Sequence, residues 1–180
     1  MQRIPYNYFI NLSILIFTVF SFSPSKAVIS KEIRKQEPPG YQVQFDYQNY
    51  SKEREIAKQY FDKVYNDSSV FANINVKYVG IDLFDINDDG KKEIFAYINY
   101  GDKCPLAGCP FVILKQTKNH KYIKIPWDEH SVLDMHCNAK IKILAARNLN
   151  YNNLLFYNRD GSPAAIWEWK GSYYNIKQNF

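Results

Sequence analysis

Residues 85 to 93 read Asp-Ile-Asn-Asp-Asp-Gly-Lys-Lys-Glu, and their types and spacing specify a chemistry. Asp85, Asn87 and Asp89 stand at alternate positions, so their side-chain oxygens point inward when the backbone curls around an ion. Gly90 follows at the sixth position, where a side chain would obstruct the sharp turn. Lys91 would add its main-chain carbonyl and Glu93 a carboxylate. Together these make an oxygen-rich donor set suited to calcium held as a structural ion. Asp88 falls between the ligand positions. The competing reading is an Asx-rich hairpin turn that satisfies itself through side-chain to backbone hydrogen bonds.

A second chemistry is that of cysteine, and its meaning depends on compartment. Residues 1–27 carry one early cation at Arg3, an uncharged apolar run from Tyr8 to Phe22, and small residues at Ser25 and Ala27. This is the pattern of a secretory signal peptide cleaved after Ala27, and the apolar run falls short of the ~20 residues that span a bilayer. Exported chains keep disulfides, so Cys104 and Cys109 are expected to be bridged, with Pro105 and Gly108 allowing the tight turn between them. So short a loop gains little through chain entropy; its use would be to stiffen the turn over 101–110. A redox motif has two residues between its cysteines and this pair has four, which argues against a thioredoxin-like role. Cys137 is left over, as a buried free thiol, as a link between molecules, or as a competitor for one of the other two.

Catalytic patterns are absent from the sequence. The three histidines are His120, His130 and His136; there is neither a nucleophile elbow nor an H-E-x-x-H helix. His130, His136 and Cys137 match no zinc-ligand spacing. Asp128, Glu129 and Asp134 could in principle pair with another acid for glycoside hydrolysis, yet nothing singles them out. The expectation is a non-catalytic exported binding protein, an inhibitor or immunity-type protein directed at a cell-envelope enzyme being one form of it. Its stiffened loop, with Pro105, Leu106, Ala107 and Gly108 at the tip, is a natural probe for a partner's cleft. The alternative is a secreted or periplasmic hydrolase acting on cell-wall or glycan substrates. The net charge of +5 becomes +3 once Arg3 and Lys26 leave with the signal peptide. Lys115, Lys118, Lys121 and Lys124 are spaced singly, as on a solvated strand face, so neither nucleic acid nor, after cleavage, a membrane is an expected partner.

The acidic loop resembles the D-x-D/N-x-D-G-x-x-D/E loops of the FG-GAP and VCBS-type repeats found in integrin-like propellers. The resemblance implies side-chain ligation by Asp85, Asn87, Asp89 and Glu93 and carbonyl ligation by Lys91. An EF-hand would need a bidentate Glu where Ala96 stands, and helical flanks. No second copy of the loop occurs at a fixed interval, so a propeller is not expected. The loop, the cysteine-bounded turn and the Phe111-to-Leu114 strand together also resemble a group of small exported bacterial proteins. In these a C-G-x-x-G-C turn follows the acidic hairpin and an aromatic-x-G-x-Tyr turn lies near the end. This chain lacks the first Gly of that pattern and carries Trp169-Lys170-Gly171-Ser172-Tyr173.

The elements that would position these residues follow from periodicity. Residues 28–48, with Pro38-Pro39-Gly40 and few apolar side chains, read as a flexible leader. From Asn49 to Asn66, Ile56, Ala57, Tyr60, Phe61 and Val64 recur at helical intervals, with Asn49 or Ser51 as cap. Beyond, the period is two: Ile74, Val76 and Tyr78, then Val79, Ile81 and Leu83 on the other parity, with a bulge or bend suggested at Gly80. Ile94, Ala96 and Ile98 make the return strand, so the acidic loop connects a hairpin. Strands are also expected over 121–125 and 141–145, with a hairpin turning at Gly171-Ser172. Fifteen Tyr, 12 Phe and 3 Trp are more aromatics than one core needs. Trp167, Trp169, Tyr173 and Tyr174 are read as a core corner in preference to an exposed patch for a protein or glycan. The expected fold is α+β, one N-terminal amphipathic helix packed on a mainly antiparallel sheet of about six or seven strands. The expected organisation is a signal peptide at 1–27, the leader at 28–48 and a single domain at 49–180.

Overall fold

The computed structural model describes residues 37–65, 71, 73–101, 104, 108–128, 135–138 and 140–180. The expected signal peptide and the start of the leader lie outside the described residues. The elements in order are β1 (Gly40–Gln42), α1 (Ser51–Val64), a 3-10 turn (Val76–Tyr78), β2 (Val79–Phe84), β3 (Glu93–Ile98) and β4 (Cys109–Gln116). Then come β5 (Tyr122–Lys124), β6 (Met135–Cys137), β7 (Ile141–Asn148), β8 (Tyr151–Tyr157), β9 (Pro163–Trp169) and β10 (Tyr174–Asn179).

The strands form two antiparallel sheets where one of six or seven strands was expected. One sheet runs β1-β7-β8-β9-β10; the other runs β2-β3-β4-β5, with β6 also paired to β4. The strand the sequence hid is β8, whose residues from Asn152 to Tyr157 are all buried. A strand covered on both faces has no alternation to read. Strand β3, expected as the return strand of the hairpin, is also buried along all of its length. On one of its faces Phe95 and Tyr97 stand beside Ile113 and Phe111 of β4. Phe111 meets Phe156 of β8 edge-on, with ring centroids 5.8 Å apart, so this face packs on the other sheet. Ile94, Ala96 and Ile98 take the opposite face with Leu114, which borders a hollow shared with Ile56 and Tyr60 of α1. The second sheet is thus the middle layer, with α1 on one side and the first sheet on the other.

Helix α1 lies within the expected stretch and buries Ala57 and Phe61 completely. It is not strictly N-terminal, and its start differs from the expected cap. Tyr50, in the left-handed region at φ 56°, precedes the helix, and no side chain caps it. The leader expected to be flexible to residue 48 contains β1, with Gly40 opposite Leu144 and Gln42 opposite Lys142. Val43, only 4% exposed, donates its N–H to Ile141 at 3.0 Å. Asp46 and Ile81 then exchange a pair of main-chain bonds at 2.8 and 2.9 Å. Residues 40–46 therefore stitch the edge of one sheet to the edge of the other. Main-chain bonds do this, so a composition poor in apolar residues did not announce it.

Gly80 is not a bulge: the β2–β3 register runs unshifted from Val79 opposite Ile98 to Phe84 opposite Glu93. Its lack of a side chain admits the Tyr47 ring, which would lie 2.6 Å from an added Cβ. Val76 to Tyr78 is a 3-10 turn instead of a strand. At the other end of the chain, the hairpin over Gly171-Ser172 is present, with Tyr174 opposite Trp169. Trp169 and Tyr174 are buried, as a core corner requires. Among the described residues, no helix is long and apolar enough to cross a membrane.

Candidate functional site

Residues 85–92 form the connection of the β2–β3 hairpin, and Glu93, opposite Phe84, opens β3. The first and last donors of the expected set therefore stand at the neck of the hairpin. Between them the chain winds on its own carboxylates. Asp85 Oδ1 accepts from the N–H of Asn87 at 3.3 Å and of Asp89 at 3.2 Å, and its Oδ2 from Gly90 at 2.8 Å. Asn87 Oδ1 accepts from Asp89 N–H at 3.0 Å, and Asp89 Oδ1 from Lys91 N–H at 2.8 Å. Asn87 Nδ2 donates to Asp89 Oδ2 at 3.3 Å. Gly90 sits at φ 81° with nothing within 4 Å of an added Cβ, so conformation and not space calls for glycine there.

Glu93 differs from its neighbours in being 2% exposed. Its Oε2 accepts the Ile86 N–H at 3.1 Å. Burial pushes its carboxyl up to about 7; the Ile86 bond opposes that shift, and the charges of Asp89 and Asp85 reinforce it. No Lys or Arg among the described residues forms an ion pair with it. Ile86 is itself fully buried, and its carbonyl accepts from Asn152 N–H of β8 at 2.8 Å, which moors the base of the loop to the first sheet.

Two further contacts tie the loop to the β7–β8 hairpin. Asp88, in the left-handed region at φ 57°, turns its carboxylate outward to an ion pair with Arg147, whose guanidinium holds that carboxyl below the usual range. Asn87 Nδ2 also reaches the Tyr151 hydroxyl at 3.2 Å. Arg147, Tyr151 and Asn152 carry no signal in the sequence, because their partners lie some 60 residues away and only the sheet pairing brings them near.

Among the described residues, no group of three or more His, Cys, Asp or Glu side chains converges as a ready metal cluster. The loop oxygens are engaged by main-chain N–H groups, as in the Asx-turn reading; Asp85 Oδ1 accepts two of them, while Asp85 Oδ2, Asn87 Oδ1 and Asp89 Oδ1 accept one each and keep a lone pair. The telling observation for a metal is Glu93, a carboxyl taken out of water beside two other carboxylates with no Lys or Arg paired to it among the described residues. An unpaired buried charge is costly, and a divalent ion would supply the missing counter-charge. The donors are all hard oxygens, a set whose chemistry suits calcium; Asp85, Asn87, Asp89 and Glu93 would hold it through side chains and Lys91 through its carbonyl.

At the far end of β3 the structure joins Cys104 to Cys109, with Cα atoms 4.9 Å apart. Cys109 is fully buried at the start of β4; Cys104 is half-buried and donates its N–H to Gly101 at 3.2 Å. Gly108 takes φ 105° on the way into β4. Pro105, Leu106 and Ala107, the other expected contact residues, lie outside the described residues. The backbone of Cys137 stands directly opposite Cys109 in the β4–β6 pairing. His120 is exposed in a turn, and Glu129, His130 and Asp134 lie outside the described residues. Comparison with known protein families, with curated proteins and with solved structures finds no match for this chain.

Proposed function

We propose that this chain is an exported, non-catalytic binding module that holds one structural calcium ion in the β2–β3 loop. The observation that carries the reading is the buried carboxyl of Glu93, without a paired Lys or Arg among the described residues, beside a loop already wound on Asp85, Asn87 and Asp89. The ion would contribute charge compensation and would pin the loop; the chain's own residues do the rest. Ile86 anchors the loop base, and Asp88 with Arg147 holds its outer side against the β7–β8 turn. With one hairpin end fixed by metal and the other by the Cys104–Cys109 link, the 101–110 turn is offered to a protein partner at reduced ordering cost. A cell-envelope enzyme, inhibited or protected, is the partner class in view.

The test is thermal. Calcium in excess over its dissociation constant by a hundredfold should stabilise the protein by about 2.7 kcal/mol, and Asp85→Ala should abolish the gain. A melting temperature indifferent to calcium from micromolar to millimolar would remove the ion from the proposal. For the partner, capture from the envelope fraction with wild type and Leu106→Asp is the matching experiment. Loss of one identified envelope enzyme on substitution supports the turn as probe, whereas turnover of muropeptides by the purified protein alone would replace the module with a hydrolase.

A further inference from the structure

We propose that the cleft between residues 41–50 and β2 is a binding site for a short neutral oligosaccharide. The cleft has a volume of about 510 Å³ and is lined by Tyr41, Tyr47, Tyr50, Gln44, Gln48 and Asp82, among others. That volume lies in the range of small-ligand sites. Two of its aromatic side chains, Tyr41 and Tyr50, are exposed, and Tyr41 and Tyr47 are held by packing. Tyr41 is 40% exposed while its ring stacks on Phe84 at 5.1 Å and its hydroxyl donates to Asp82 at 2.9 Å. Tyr47 lies on the bare backbone of Gly80. Tyr50 is 41% exposed, aimed by a left-handed backbone at φ 56°, ψ 45° at the head of α1.

The turn that carries Tyr47 and Tyr50 is held by its own hydrogen bonds. Asp46 accepts from the N–H groups of Gln48 and Asn49 at 2.7 and 2.8 Å and from Asn49 Nδ2 at 2.6 Å. Arg54 reaches back from α1 to the carbonyls of Tyr47 and Gln48 at 2.5 and 2.9 Å. Asp82 accepts from Gln44 N–H and Leu83 N–H, each at 2.8 Å, besides Tyr41. The side-chain amides of Gln44 and Gln48, by contrast, are exposed and enter none of these bonds. Aromatic faces next to exposed amides that both donate and accept suit a ligand with apolar C–H faces and a rim of hydroxyls.

Charge narrows the class. Among the described residues no Lys or Arg lines the cleft and Asp46 and Asp82 do; the Arg54 guanidinium lies behind the wall, engaged by the Tyr47 and Gln48 carbonyls. Anionic sugars, nucleotides and phosphates would meet repulsion. A small quaternary ammonium ion would favour tyrosines beside carboxylates, but it would use neither the free amides nor most of an open trough of this size. The neutral saccharide uses all three features. This site is separate from the acidic loop, so it stands or falls without the calcium.

The experiment is calorimetric titration of the purified chain, with calcium and with chelator, using cellotriose, maltotriose, the N-acetylglucosamine trimer, a galacturonate trimer and choline. Saturable binding of a neutral trisaccharide is expected. It should weaken at least tenfold in Tyr50→Gly, which keeps the left-handed backbone while removing the ring, and in Gln44→Ala/Gln48→Ala. Both sets lie on the surface, and an unchanged melting temperature verifies the fold. Binding of choline or galacturonate alone, no binding of any neutral sugar at millimolar concentration, or equal binding by wild type and both variants would each overturn the proposal.

Discussion

At the scale of single residues, the contrast between Asp85 and Glu93 separates a turn that merely holds itself from one that awaits an ion. Asp85 is surrounded by N–H donors from Asn87, Asp89 and Gly90, and an Asx-turn needs nothing more. Glu93 is nearly inaccessible to water, and its Oε2 accepts the Ile86 N–H. A self-satisfied turn gains nothing from that carboxylate. Glu93→Gln is therefore expected to act in opposite directions in two conditions. In chelator above pH 7, where the Glu93 carboxyl is ionised, it should stabilise the protein by roughly 1–3 kcal/mol, since a neutral amide can still accept from Ile86 without burying a charge. In excess calcium it should be less stable than wild type, having lost a ligand. Chemical denaturation in both buffers checks this; equal destabilisation in both would assign Glu93 a packing role alone.

At the scale of elements, the short strand β1 does more than its three residues suggest. It closes the edge of the first sheet against β7, and the chain leaving it covers the edge of β2 through Asp46 and Ile81. Exposed edges invite pairing with other chains, so the segment also protects the protein from association. Its closeness to β7 depends on Gly40, where an added Cβ would sit 2.2 Å from the Ile143 carbonyl oxygen. Gly40→Ala cannot be absorbed by a side-chain movement, because the obstacle is backbone. The expected outcome is loss of the β1–β7 pairing, at about 1–3 kcal/mol, with faster amide exchange at Val43 and Ala145, whose N–H groups donate to Ile141 and Pro39. Unaltered protection at both amides would show that the edge is held by something other than this strand.

At the scale of the molecule, Phe111 joins the layers. Its ring lies within 6.2 Å, centroid to centroid, of those of Phe45, Phe95 and Trp127, and at 5.8 Å from Phe156. These partners come from the edge segment, β3, the chain after β5, and β8 of the other sheet. Phe111→Ala should cost about 3–5 kcal/mol, and tryptophan fluorescence and backbone circular dichroism should still report one coincident transition. Two separated transitions would mean that the sheets unfold independently and that the aromatic contact is not what couples them.

The sequence by itself determined the local features whose physics is local. Alternate acids before Gly90 set the loop, the three-four spacing from Ile56 to Phe61 set the amphipathic face of α1, and turn residues set the Gly171-Ser172 hairpin. Each depends on neighbours within one turn of chain. It did not determine the number of sheets, because β8 is buried on both faces and shows no alternation, and because β1 is held by main-chain bonds that any residue can make. Nor could spacing tell that Gly80 makes room for Tyr47, that Arg147 meets Asp88, or that Tyr41 and Tyr50 border the same cleft as Asp82. Those juxtapositions join residues that the chain keeps apart, and only the pairing of strands and the packing of layers brings them within reach.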